Sequence, residues 1–138
     1  MDNKKRCVWC NPKNPLYIAY HDSEWCVPNF GDQYLYEMLL LESFQAGLSW
    51  ECVLNKRESF RKAYDNFDID KVISYDENKI EELLSNKDII RNRRKIHASI
   101  HNSKIFMPLF SLPRTPLRLQ KAVWRSACLL SVAPHHQG

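Results

Sequence analysis

Apolar positions along the first hundred residues recur at three- and four-residue offsets, the period of helices that bury one face. The clearest helix start follows Gly31-Asp32, a glycine stop and an N-capping carboxylate, with Leu35, Met38, Leu39 and Glu42 at helical spacing behind it. Gln45-Ala46-Gly47 interrupts that pattern. Ser49 is then placed to cap a second helix whose Cys52, Val53, Phe60, Ala63 and Tyr64 fall on one face. Asp68 and Asp76 read as caps of two further short helices, the second packing through Ile80, Leu83 and Leu84. Ser85-Asn86-Lys87-Asp88 is a turn signal, and a last helix carries Ile96, Ile100 and Ile105 on one side. No segment sustains the two-residue alternation of a strand, so the body is predicted to be all-α.

The pattern changes at Met107-Pro108. Beyond it come Pro108, Pro113, Pro116 and Pro134, no acidic residue, and no helical stripe before Leu119–Leu130. The chain therefore divides, as an expectation, into a body of residues 1–106 and an unrelated, basic, proline-containing and poorly ordered tail of residues 107–138. Either the tail binds something acidic, or a frameshift or truncation has replaced the original continuation. The second reading is favoured because the last body helix is left with an uncovered apolar face. Charge divides at the same place. Residues 1–106 hold sixteen basic and sixteen acidic residues, and the net +4 comes from Arg114, Arg118, Lys121 and Arg125. The overall basicity is thus weak support for nucleic-acid binding.

A chain of 138 residues accommodates a single core. It contains no apolar run of the ~20 residues that a membrane helix needs, and the charged start Met1–Arg6 leads into no apolar signal core. A cytoplasmic monomer is expected. The cysteines (Cys7, Cys10, Cys26, Cys52, Cys128) are odd in number, which suits thiols or metal ligands better than a disulfide framework.

Candidate chemistry lies around the helix break. Trp9, Tyr17 and Tyr20 precede the first long helix, and Glu42 to Trp50 combines an acid, an amide and an indole. A carboxylate among aromatic rings is what a cationic heteroaromatic base requires. Ring faces stack on it and attract its charge, while the carboxylate accepts hydrogen bonds from its edge. Taken singly, each aromatic reads equally as core and Glu42 as a solvated helix residue.

Their order adds a resemblance. Arg6-Cys7-Val8-Trp9, then Pro15-Leu16-Tyr17-Ile18-Ala19-Tyr20-His21-Asp22-Ser23-Glu24-Trp25, then Leu41-Glu42-Ser43-Phe44-Gln45-Ala46-Gly47-Leu48-Ser49-Trp50 resemble the DNA-3-methyladenine glycosylase I family. Val53–Glu58 and Asp88–Ile96 continue the likeness, which spans residues 6 to about 106. It implies an all-α, helix-hairpin-helix DNA repair glycosylase that acts on alkylated double-stranded DNA and flips the damaged base out of the duplex. By the same resemblance, Glu42 contacts the edge of 3-methyladenine, and Trp9, Tyr20 and Trp50 build the stacking pocket, with Tyr17 nearby. Gln45 stands where the motif has a residue that plugs the gap in the base stack. The segment from Glu77 to Phe106 corresponds to the hairpin that holds a phosphate, and Arg91, Arg93, Arg94 and Lys95 add charge there. As a bare charge run, those four would read as a solvated face. Asp88 and Arg94 occupy positions where glycine is common in such hairpins.

The resemblance also implies a structural zinc, with Cys7 and His21 as its first two ligands. The family's other two, a histidine and a cysteine near its C-terminus, have no matching motif here. Cys10 and Cys26, or Cys128, His135 and His136, are conceivable substitutes. No lysine nucleophile falls in the pocket motifs, so hydrolysis without strand cleavage is expected. The alternative to base release is a fragment that binds DNA weakly without excision.

Overall fold

The computed structural model describes residues 4–110. They form seven α-helices: α1 (Pro15–Ser23), α2 (Asp32–Gln45), α3 (Trp50–Leu54), α4 (Arg57–Ala63), α5 (Ile69–Ile73), α6 (Glu77–Ser85) and α7 (Arg93–Phe110). A 3-10 turn at Asp65–Phe67 joins α4 to α5. No strand occurs among the described residues, in line with the all-α expectation. No helix there is long and apolar enough to cross a membrane.

Several helix ends lie where the side-chain chemistry points. Ser49 accepts from the Cys52 N–H at 3.2 Å, Asp68 from Asp70 and Lys71, and Asp76 from Lys79 at 2.9 Å. Asn92 accepts from the Lys95 N–H at 3.1 Å and so caps α7. Other ends differ from expectation. Asp32 is the first residue of α2, and Gly31 before it caps without a side chain. The apolar face from Cys52 to Tyr64 is shared by two helices broken at Asn55-Lys56. The pattern offered no helix at Pro15–Ser23, whose N-cap is Asn14. At the other end, α7 continues through Pro108, four residues beyond the change in composition. What was expected of residues 111–138 lies outside the described residues.

The core joins Tyr36, Leu40, Leu41 and Phe44 of α2 to Val53, Phe60, Ala63, Tyr64, Phe67 and Val72, and then to Ile80 and Leu83 of α6 and Ile96 and Ile100 of α7. Ile105, expected on the same stripe, is 57% exposed, as is Leu109 at 58%. The buried face of α7 also carries two serines. Ser99 donates to the Ile96 carbonyl and Ser103 to that of Ser99. Each serine oxygen then accepts from a tyrosine of another element: Tyr64 to Ser99 at 3.1 Å, Tyr36 to Ser103 at 2.5 Å. Buried hydroxyls are thus satisfied in pairs.

A buried ionic cluster ties α1, α2 and α4 together. Arg57 donates to Glu37 at 2.6 Å and to both carboxylate oxygens of Glu24 at 2.8 and 2.9 Å. Arg61 also donates to Glu37, at 2.9 Å, and pairs with Glu58. Glu24 is the C-cap residue of α1, so this cluster fixes that helix against the other two.

Candidate base-binding site

Three elements converge on one face. Tyr20 of α1 and Trp50, the first residue of α3, bring their rings to 5.4 Å between centroids. Glu42 projects from the last turns of α2 close enough for its charge to help raise the Tyr20 hydroxyl well above its ordinary pKa, a shift led by burial. The approach of α1 to α3 has its own polar frame. Asn11 and Asn14 both donate to Glu51 at 2.8 Å, and Asn14 also donates to Asn55 at 2.8 Å.

Glu42 itself is exposed, and no donor or cation among the described residues pairs with it. The surrounding protein nevertheless pushes its carboxyl pKa up by desolvation. An unpaired carboxylate in such a setting is available to a ligand. It also weakens the fold. Because the folded pKa is raised, Glu42 contributes most favourably below its unfolded pKa, and that contribution is lost as pH rises through the folded value. Glu42→Gln is therefore expected to raise the melting temperature at neutral pH, with the gain fading below about pH 4, near the unfolded pKa of glutamate. Paired thermal melts across that range check it, and a variant less stable at pH 7 would contradict it.

The buried Trp50 indole N–H has no acceptor among the described residues. A buried donor left unpaired costs on the order of 1–3 kcal/mol, so an acceptor supplied from outside would relieve it. Gln45, half-buried, ends α2. After it the chain reverses through Ala46 (φ −46°, ψ 115°) and Gly47 (φ +79°), with the Leu48 N–H on the Gln45 carbonyl at 2.6 Å. These angles are those of a type II turn, which needs positive φ at its third residue and hence favours Gly47. A side chain there would meet open space, so the requirement is conformational.

Trp9 and Tyr17 form a neighbouring group. Trp9 lies 5.2 Å from the buried Tyr17, 5.2 Å from His21 and 5.1 Å from Trp25. Trp25 stacks on His21 at 5.6 Å. Its part in this cluster was not read from the sequence, although it closes the Pro15–Trp25 motif.

Cys7 and His21 also meet. The Cys7 N–H donates to His21 Nε2 at 3.2 Å, so Nδ1 carries the proton toward Asp22, 2.9 Å away. Asp22 is held well below the usual carboxylate range, first by its hydrogen bond from Arg6 and then by that from His21. A carboxylate orienting a histidine in this way is common behind metal ligands. No group of three or more His, Cys, Asp or Glu that could hold a metal ion occurs among the described residues. Two donors fall short of the four that structural zinc takes.

The four cations of the hairpin are placed differently from one another. Arg91 and Arg94 are exposed, with no ion pair among the described residues. Arg93 pairs with Glu77 and Glu81 of α6. Lys95 turns inward, donating to the Phe44 carbonyl at 2.8 Å and the Ala46 carbonyl at 2.6 Å. Two open cavities of about 270 and 280 Å³ lie elsewhere, one beside Asp32, Tyr36 and Asp68, the other beside Asp76, His97 and His101.

The arrangement of rings and carboxylate can be set against known proteins. The family model for methyladenine glycosylase matches residues 9–135. The chain belongs to the methyladenine glycosylase family. Among curated relatives it is 46% identical over 105 residues to DNA-3-methyladenine glycosylase 1 of Escherichia coli (strain K12), covering 76% of this chain and 56% of that protein. It is 41% identical over 104 residues to DNA-3-methyladenine glycosylase of Haemophilus influenzae (strain ATCC 51907 / DSM 11121 / KW20 / Rd), with 75% and 56% covered. A crystal structure of 3-methyladenine DNA glycosylase I superposes with a TM-score of 0.74 at 45% identity, over 78% of this chain and 58% of that one. The chain thus spans little more than half the length of the glycosylases it matches.

Proposed function

We propose that this protein releases 3-methyladenine from alkylated double-stranded DNA by hydrolysing its N-glycosidic bond. The observation that carries the reading is the exposed Glu42 carboxylate, without a partner among the described residues and close to Tyr20 of the Tyr20–Trp50 ring pair. Methylation at N3 gives adenine a positive charge and weakens its bond to deoxyribose, so the base already leaves readily. What the protein supplies is a place to hold it once it is out of the stack. Tyr20 and Trp50 offer ring faces to a flat cation, Glu42 accepts hydrogen bonds from its edge, and Trp9 and Tyr17 extend the aromatic wall. As the bond breaks, its electron pair neutralises the departing base and positive charge builds on the sugar, so the leaving group needs no acid and discrimination rests on the pocket more than on acid catalysis. The motifs that carry Trp9, Tyr17, Tyr20, Glu42 and Trp50 hold no lysine nucleophile, and in this reading water attacks the sugar and the strand stays intact.

In this reading Gln45, at the corner after α2, fills the space the base vacates. The hairpin of α6 and α7 seats on a phosphate, with Arg91 and Arg94 as its free cations. We take the protein to act as a monomer in the cytoplasm. For a structural zinc we propose Cys7 and His21 as two of four donors, with the other two from outside residues 4–110 and no part in base release. The other reading, weak DNA binding without excision, is favoured by the extent of the match, little more than half of each relative's length.

Release of free 3-methyladenine from methylated duplex DNA by the purified chain tests the proposal. Glu42→Gln is expected to lower the release rate about tenfold or more, the loss of one charge-assisted hydrogen bond. Salt-sensitive binding without any release would support the non-excising reading instead.

A further inference from the structure

Lys95 belongs to the basic run Arg91, Arg93, Arg94 and Lys95, and its ammonium sits on the end of α2. It donates to the carbonyls of Phe44 and Ala46, at 2.8 and 2.6 Å. The last carbonyls of a helix have no partner within it and carry the negative end of its dipole, so a lysine there satisfies both. The need is acute because the chain reverses at Ala46-Gly47, and the Leu48 N–H goes to Gln45 instead of continuing the helix. A second lysine makes the opposite link. Lys56, at the joint between α3 and α4, donates to the Asp88 carbonyl in the hairpin turn at 3.1 Å. Lysine–carbonyl bonds thus run from the hairpin to the end of α2 and from the α3–α4 joint, which follows the helix that Trp50 begins, back to the hairpin.

We infer that Lys95 is a positioning residue which, with Lys56 as its reciprocal partner, locks the hairpin and the Gln45–Trp50 corner into one unit. The inference rests on the proposed base release and deepens it. Seating the hairpin on a phosphate then sets where the corner meets the base stack. A lysine contacting phosphate directly would behave otherwise, because its loss removes counterion release. The slope of log affinity against log salt would fall in magnitude by about 0.9.

The test compares Lys95→Met, which keeps the apolar stem, with Lys95→Arg and Lys56→Met in the intact chain. Three quantities are read: single-turnover release of 3-methyladenine at saturating protein, the salt slope of binding to undamaged duplex, and hydrogen exchange at the Ala46, Gly47 and Leu48 amides. Lys95→Met is expected to slow release about tenfold and speed exchange by a similar factor, with the salt slope unchanged. Lys95→Arg should recover part of the rate, since a guanidinium also reaches two carbonyls. Unchanged exchange and release at saturation, with a slope reduced by about 0.9, would make Lys95 a phosphate ligand and overturn the inference. Should the unaltered chain release no base, the proposed activity falls, and exchange alone decides the clamp: faster upholds it, unchanged overturns it. Should Lys95→Met fail to fold, the same readings on Lys56→Met decide it.

Discussion

Replacing Arg57 with alanine is expected to destabilise the protein by about 3 kcal/mol, a large share of the ~5–15 kcal/mol that holds a domain of this size together. Arg57 is 8% exposed and Glu37 7%, so neither charge has water to fall back on. Removing the guanidinium leaves Glu37 buried beside Arg61 alone and takes from Glu24, at the end of α1, its ion pair with Arg57. The remaining Arg61 contact is why the figure sits at the low end of the usual range for breaking a buried pair. Chemical denaturation measures it, and a loss below about 1 kcal/mol would mean that Arg61 and water compensate almost fully. A double replacement, Arg57→Leu with Glu37→Leu, should recover much of the loss. A buried ion pair as a whole contributes little net stability, whereas half of one is strongly unfavourable. Tyr20 lies on the helix this cluster holds, so the single variant is also expected to loosen the Tyr20–Trp50 ring contact.

Phe60→Ala is expected to remove about 4 kcal/mol through the lost apolar burial and the cavity left behind. Phe60 is fully buried, 4.8 Å from Phe44 and 5.9 Å from Tyr64 between ring centroids. Phe44 lies on the buried side of the α2 turns that carry Glu42 and Gln45, so the cavity opens beneath the candidate site. Phe60→Leu, which keeps most of the volume, should lose only about 1 kcal/mol. Comparing the two by denaturation separates volume from chemistry. Equal losses would show that the ring contacts, more than the filled space, hold this layer.

How far such features were legible in the sequence depends on how local their causes are. Ser49, Asp68 and Asp76 announced helix starts because a cap needs only its next three residues. Helix α1 escaped notice because Leu16, Tyr17, Ile18 and Tyr20 crowd several faces and leave no single stripe. The break at Asn55-Lys56 was hidden because α3 and α4 bury one continuous face. The ionic cluster could not be read at all, since Glu24, Glu37 and Arg57 are brought together only by tertiary packing. At the candidate site, motif order named Tyr20, Glu42 and Trp50 together, and the structure brings the Tyr20 ring to that of Trp50 and within reach of the Glu42 charge. The inward turn of Lys95 was invisible, because nothing in a run of basic residues says which one meets a helix end.

The paired hydroxyls along α7 have a consequence for how this family can vary. Turning α7 by one residue about its axis would swing Ser99 and Ser103 away from their tyrosines and drive larger side chains into the same space. The helix is keyed against rotation at two heights, as a shaft is by two pins. Changes at these four positions should therefore travel in couples, Ser99 with Tyr64 and Ser103 with Tyr36. A lone exchange strands a polar atom in the interior, whereas a matched exchange of serine for alanine and tyrosine for phenylalanine removes both hydroxyls of the pair together.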